Sequence, residues 1–386
     1  MEVSKGQRLY IGIFGNANSG KSSLMNMITG QNFSIVSPVS GTTTDAVQKN
    51  MEFPGVGPVV FIDTAGFDDR TELSEQRTEK TYDAIAKSDL IIAVIARDEV
   101  NNLSGILESS GFRKLLESKK PIVWVVTKTE SAEQEISIPQ LNPVFVNSTT
   151  GRNKEALFEK IRASVPQNYF DRSLTEMFCK PGENVLLVMP QDSQAPKGRL
   201  ILPQVETIRD LLDRKVLIHS CTNDTFKQVL ESLKNPPDLI ITDSQLFKYV
   251  NDNKPASSRL TSFSILQAAY KGDLKLFIEG AKAIHRLTND STVLIAEACT
   301  HSPATEDIGR VKIPALLKKI APDVKIDFAR GTDFNLKNYD LIIHCGACMF
   351  NRAYMLSRQA AADAADTPMT NYGLALAELT GTKTDL

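Results

Sequence analysis

Short apolar runs alternate with polar, helix-like stretches along most of the chain. The first runs are Leu9 to Phe14, Val59 to Ile62, Leu90 to Ala96, Ile122 to Val126 and Val144 to Val146. Brief runs of this kind, rich in Val, Ile and Leu, mark strands buried on both faces of a parallel sheet. The stretches after them, such as Ser23 to Ile28 and Lys154 to Ala163, read as helices. The pattern predicts an α/β first domain over residues 1–167, with a mostly parallel sheet. Pro166, Asn168 and Lys180-Pro181-Gly182 then break it and read as a linker. A second, smaller α/β domain over 168–255 has strand-like segments near Val185–Met189, Val216–His219 and Leu239–Thr242. Asn251-Asp252-Asn253-Lys254-Pro255 marks the next break. A third, over 256–386, contains the runs Thr292 to Ala296 and Leu341 to Ile343, and a helical stretch from about Met349 to Ala365. A chain of 386 residues suits this division.

Composition narrows the possible partners. The net charge is −2 and no basic run carries interleaved aromatics, so a nucleic-acid surface is not expected. The longest apolar runs are far too short to span a membrane, and Met1-Glu2-Val3-Ser4-Lys5 lacks the apolar core of a signal segment. A cytosolic location is expected. The chain has five cysteines, an odd number, which in a reducing compartment do not read as disulfides. Cys179 and Cys221 stand alone and read as buried structural thiols.

Gly15-Asn16-Ala17-Asn18-Ser19-Gly20-Lys21-Ser22 is a complete G-x-x-x-x-G-K-[ST] phosphate loop, between the apolar run Leu9–Phe14 and a helical segment opening at Ser23. Glycines let backbone N–H groups curl round a phosphate, Lys21 reaches the β- and γ-phosphates, and Ser22 offers a hydroxyl to Mg²⁺. The positive end of the following helix adds to the attraction. Asp63-Thr64-Ala65-Gly66 follows the run Val59–Ile62, which places a carboxylate at a strand end where it can hold Mg²⁺ through water. The Gly66 amide can then meet the γ-phosphate. Gly41-Thr42-Thr43-Thr44-Asp45 reads as a switch loop, with Thr43 the expected second Mg²⁺ ligand.

This order of motifs resembles the TrmE/Era-like GTPases, which implies GTP hydrolysis to GDP and phosphate. Where that group has Asn-Lys-x-Asp, this chain has Thr127-Lys128-Thr129-Glu130. Glu130 keeps two acceptor oxygens for guanine but sits one methylene further out, and Thr127 cannot reproduce an asparagine amide. Asn147-Ser148 is a degenerate counterpart of the group's second base loop. Phe67 stands where Ras-like enzymes carry a water-orienting glutamine. Asn18 matches the asparagine that ligates potassium in TrmE-like GTPases, so the resemblance implies slow turnover stimulated by K⁺. The plainer reading of Asn18 is a loop residue bonded to its own backbone.

The remaining three cysteines form a constellation: Cys299-Thr300-His301, then His344-Cys345-Gly346-Ala347-Cys348. Soft thiolates at C-x-x-C spacing hold zinc or iron. The apolar runs that end in Cys299 and Cys345 read as parallel strands, whose carboxyl ends are where open α/β sheets place ligands. A helix beginning after Cys348 would favour thiolate charge. A 4Fe–4S cluster on Cys299, Cys345 and Cys348 is the leading expectation, with His344, His301 or Glu306 as candidate fourth ligand. A zinc site completed by His301 or His344, and a redox C-x-x-C pair, are the alternatives.

A TrmE-like GTPase followed by Cys-x-His and His-Cys-x-x-Cys resembles the HydF family, the GTPase maturation factors of FeFe-hydrogenase. The resemblance runs from about Gly15 to Gly373 and includes Ala195–Arg199, Thr305–Arg310 and Pro368–Gly373. It implies a scaffold or carrier for the diiron precursor of the hydrogenase active site, loaded by the radical SAM maturases HydE and HydG and discharged to apo-hydrogenase. It also implies a homodimer formed through the middle domain. A TrmE-like RNA-modification GTPase with a zinc site, and an enzyme using an open cluster iron, are the competing readings.

Overall fold

A computed structural model of the chain describes residues 4–30, 47–67, 74–130, 137–167, 169–191, 197–298, 307–330 and 338–384. They divide into two compact units, Gln7–Phe170 and Ser4–Gly6 with Asp171–Leu386. The first unit is built on strands β1 (Leu9–Gly15), β2 (Val47–Phe53), β3 (Gly57–Asp63), β4 (Leu90–Ala96), β5 (Ile122–Thr127) and β6 (Val144–Phe145). They form one sheet in the order β2-β3-β1-β4-β5-β6, with only β2 antiparallel to its neighbour. Side chains alternate across it. Leu9, Ile11 and Ile13 pack into one core and Tyr10 and Phe14 into the other, which is why the strands are apolar throughout. β2, with Gln48, Lys49, Asn50 and Glu52 among its seven residues, is mostly polar and lies outside the apolar runs.

The second unit contains two four-stranded sheets with only parallel pairings. Strands β7 (Asn184–Val188), β8 (Leu217–Cys221), β9 (Leu239–Thr242) and β10 (Arg259–Ser262) are ordered β10-β9-β7-β8. Strands β11 (Thr292–Glu297), β12 (Lys325–Arg330), β13 (Leu341–His344) and β14 (Met369–Asn371) are ordered β12-β11-β13-β14. Two sequence expectations need correction here. The boundary at 255 falls before β10, which completes the earlier sheet through its register with β9. The helix expected from Met349 begins at Arg352, because the Asn351 side chain caps it by accepting the Tyr354 amide. Cys348 is therefore not at a helix N-terminus. Cys179 is buried as expected, whereas Cys221 is partly exposed. Among the described residues, no helix is long and apolar enough to cross a membrane.

Candidate functional site

The phosphate loop joins β1 to the helix Lys21–Thr29. The Lys21 ammonium folds back onto the loop, donating to Asn16 O at 2.6 Å and Gly15 O at 3.1 Å. A Cβ at Gly15 would lie 2.3 Å from the Val94 carbonyl oxygen, so only glycine fits there. Asn16 is anchored from outside the motif: its amide donates to Glu99 at 2.8 Å, while the other Glu99 oxygen accepts the Ala96 amide. No motif marks Glu99. Asn18 has φ 57°, a left-handed conformation asparagine tolerates, and it lines the cleft beyond the loop.

Beside the loop, Ser22 Oγ donates to Asp63 Oδ2 at 3.1 Å. Burial raises the Asp63 carboxyl above its ordinary range, opposed by the Ser22 hydrogen bond and the Lys21 charge. Its Oδ1 is buried with no hydrogen-bond partner among the described residues. A hydroxyl next to an unsatisfied carboxylate oxygen fits a Mg²⁺ site, with the cation supplying what Oδ1 lacks. Thr64 Oγ1 donates to Ile13 O at 2.8 Å, and a Cβ on Gly66 would stand 2.3 Å from the Ala17 nitrogen. The segment Asp63–Gly66 thus lies directly against the phosphate loop. Phe67 turns into the core, stacked on Phe14 at 6.3 Å and edge-on to Phe112 at 5.2 Å. Thr43 lies outside the described residues.

The same cleft, of about 700 Å³, continues from Asn18, Gly20, Lys21, Ser22 and Ser23 to Thr127, Lys128, Glu130, Asn147 and Ser148. Glu130 is exposed at its far end. Two residues of the expected base loops also brace them. Asn147 donates to Thr129 O at 2.9 Å and accepts the Thr149 and Thr150 amides. Thr127, 1% exposed, donates its hydroxyl to Ser19 O at 2.5 Å and so ties the base loop to the phosphate loop. Thr127→Val keeps the shape and orphans that carbonyl. Expected is a loss of about 1–3 kcal/mol in denaturant unfolding, with weaker nucleotide binding in parallel. Unchanged stability and affinity would count against the brace.

A second constellation sits at the carboxyl ends of β11, β13 and β14. The register pairs Ala296 with His344 and His344 with Asn371, so Glu297, Cys345 and Tyr372 emerge side by side. Cys345 Sγ accepts the Ala298 amide at 3.1 Å. Desolvation pushes its thiol up to about 11, against the lowering by the Ala298 and Ala347 amides. Metal binding must therefore displace a proton, and N–H groups already point at the sulfur to receive the thiolate. Cys348 is partly exposed at the end of the same loop. His344 is fully buried, with Nδ1 3.0 Å from Cys345 O and its ring 5.8 Å from that of Phe350. Burial first, then the Arg358 charge, lowers its pKa to about 3, and Nε2 is buried without a partner among the described residues.

Sequence reasoning missed the surroundings of Cys345. Glu297 binds Arg310 at 2.9 Å and Arg330 at 3.2 Å. The Tyr372 hydroxyl is buried with no hydrogen-bond partner among the described residues, and a Cβ on Gly309 would meet it at 2.0 Å. The only signal was that Gly309, Arg310 and Tyr372 lie in segments shared with the resembled family. Cys299, His301 and Glu306 lie outside the described residues, among which no three His, Cys, Asp or Glu side chains form a metal-holding group. Cys345 and Cys348, with N–H groups facing the Cys345 sulfur, are donors of the kind a soft-metal or iron–sulfur centre uses.

Comparison with known proteins covers both constellations. Residues 10–128 match the family described as 50S ribosome-binding GTPase. Residues 174–272 match the hydrogen maturase F dimerization domain, and residues 275–384 the hydrogen maturase F tetramerization domain. The chain is 33% identical over 151 residues to the tRNA modification GTPase MnmE of Polynucleobacter asymbioticus, covering 38% of this chain and 32% of that protein. It is 31% identical over 176 residues to the GTPase Der of Kosmotoga olearia, covering 40% and 38%. The chain thus spans about a third of the length of these curated relatives. Among solved structures, it is similar to an Era variant from Aquifex aeolicus bound to GDP and AlF4⁻, at 19% identity and TM-score 0.34, covering 55% of this chain and 92% of that one. The T. maritima FeoB G domain is similar at 24% identity and TM-score 0.31, covering 41% and 99%.

Proposed function

Because the chain belongs to the hydrogen maturase F (HydF) family, we propose that it is a GTP-hydrolysing scaffold that binds a 4Fe–4S cluster and carries the diiron precursor of the FeFe-hydrogenase active site. The observation that supports this most is one chain carrying both a phosphate-loop cleft and the strand-end loop Cys345–Cys348, the latter within a HydF-specific domain. HydE and HydG would load it, and apo-hydrogenase would receive the precursor in the cytosol. The two assembly domains favour a dimer that associates further.

In the cleft, Lys21 would leave the Gly15 and Asn16 carbonyls for the β- and γ-phosphates. Ser22 and Asp63 would hold Mg²⁺, and the Gly66 amide would face the γ-phosphate. Phe67 packs in the core, so water activation falls to another group. We assign Asn18 to a potassium ion whose charge stabilises the transferring phosphoryl group. Turnover should fall several-fold when Na⁺ replaces K⁺, and Asn18→Ala should abolish that difference. Equal rates in both salts would defeat the assignment. Cys345 and Cys348 would hold the cluster, with Cys299 as third thiolate; bound there, it would offer an iron site for the cargo. Hydrolysis would time release by reordering the segments around Gly41–Asp45 and after Gly66.

The test is anaerobic reconstitution followed by activation of apo-hydrogenase in the presence of HydE and HydG. A brown, iron-loaded protein that activates it is expected. A colourless protein with stoichiometric zinc would overturn the scaffold reading.

A further inference from the structure

Lys271 ends the helix Phe263–Lys271 that follows β10, within the part of the chain matched by the dimerization-domain family. Its side chain is 1% exposed. The ammonium donates to Ala347 O at 2.9 Å and Cys348 O at 3.0 Å, in the cysteine loop of the next domain. Gly6 closes the same spot. A Cβ there would stand 2.6 Å from Lys271 Nζ, 2.7 Å from Cys348 O and 2.9 Å from Phe350 O. Ala347 holds φ 51°, a conformation a residue with a side chain keeps only where its surroundings enforce it. The bonds to Lys271 are part of that enforcement.

A trans peptide sets its N–H opposite its C=O. With the Ala347 and Cys348 carbonyls drawn to the ammonium, the N–H groups of Cys348 and Met349 point away from it. Burying an ammonium is costly, and an anionic centre nearby reduces that cost. Conversely, a fixed positive charge favours the more reduced, more negative state of such a centre.

We propose that Lys271 is a positioning residue for the cysteine loop: it fixes the turn between Cys345 and Cys348 and raises the reduction potential of the cluster they bind. The inference rests on the cluster reading above. It gives the second domain a direct hold on the chemistry of the third.

The full chain, reconstituted anaerobically as wild type, Lys271→Gln and Lys271→Met, tests it by iron content, the electron paramagnetic resonance spectrum of the reduced cluster and a dye-mediated potential titration. Lys271→Gln keeps a donor without the charge, so it should bind iron as wild type does at a lower midpoint potential. Lys271→Met loses both and should show lower potential and lower iron occupancy. An unchanged potential in Lys271→Gln overturns the role of Lys271 alone. A wild-type protein that takes up no cluster overturns the cluster reading itself. Thermal unfolding of the same samples reports the fold, and two variants that fail to fold would overturn the electrostatic role in favour of a purely structural lysine.

Discussion

Cys345→Ser should bring bound iron to background and abolish activation of apo-hydrogenase, while GTP turnover stays near that of wild type. A serine hydroxyl is a harder donor, and far less readily deprotonated, than a thiol, so it is a poor ligand for an iron–sulfur cluster. Position 345 leaves no room to compensate. Its amide donates to Ala296 O at 2.9 Å, and β13 is locked between β11 and β14, so the loop cannot swing a neighbouring donor into place. The two activities separate because every described residue of the nucleotide cleft belongs to the compact unit Gln7–Phe170, and Cys345 belongs to the other. Iron analysis, visible absorption and phosphate release on one preparation check the prediction. Iron retained at wild-type level would remove Cys345 from the cluster site.

The chain's periodicity made the first domain legible because its central strands are buried on both faces. Leu90–Ala96 is apolar at every position and fully buried. An exposed edge strand was hidden. β12 reads Lys325-Ile326-Asp327-Phe328-Ala329-Arg330 and lies at a sheet edge, with Lys325, Asp327, Phe328 and Arg330 exposed. β10 and β14 were obscured for another reason: each is very short and mostly polar, and parallel pairing defines it more than composition does. The same contrast holds at the sites. Gly15–Ser22 is contiguous, so its chemistry is written in one stretch. Glu99 acts through a contact 83 residues away, Lys271 reaches Ala347 across 76 positions, and Tyr372 is placed by strand register. A lone buried lysine has no local signature. Thr127 illustrates a third case, in which a departure from the family motif looked like a lost base contact and proves to be a brace on Ser19.

A single methyl group at Gly66 should lower the catalytic rate of GTP hydrolysis by about 10²-fold, the usual cost of losing one well-placed donor to developing charge. An added Cβ would stand 2.3 Å from the Ala17 nitrogen and 2.6 Å from its Cα, both backbone atoms that cannot rotate away. Retreat is blocked on either side. Upstream, Thr64 is tied to Ile13 O; downstream, the Phe67 amide donates to Gly15 O at 3.3 Å and the ring is wedged between Phe14 and Phe112. Gly111 narrows that wedge further, since a Cβ there would lie 2.2 Å from the Phe67 ring. In Gly66→Ala the strain must therefore move either the phosphate loop or the Gly66 amide. If that amide serves the γ-phosphate alone, as proposed, GTP affinity and hydrolysis should suffer while GDP affinity is largely kept. Calorimetric titration with GDP and a non-hydrolysable GTP analogue, beside single-turnover phosphate release, separates the two. Equal losses for both nucleotides would mean that the methyl disrupts the whole loop, and wild-type turnover would remove Gly66 from the γ-phosphate.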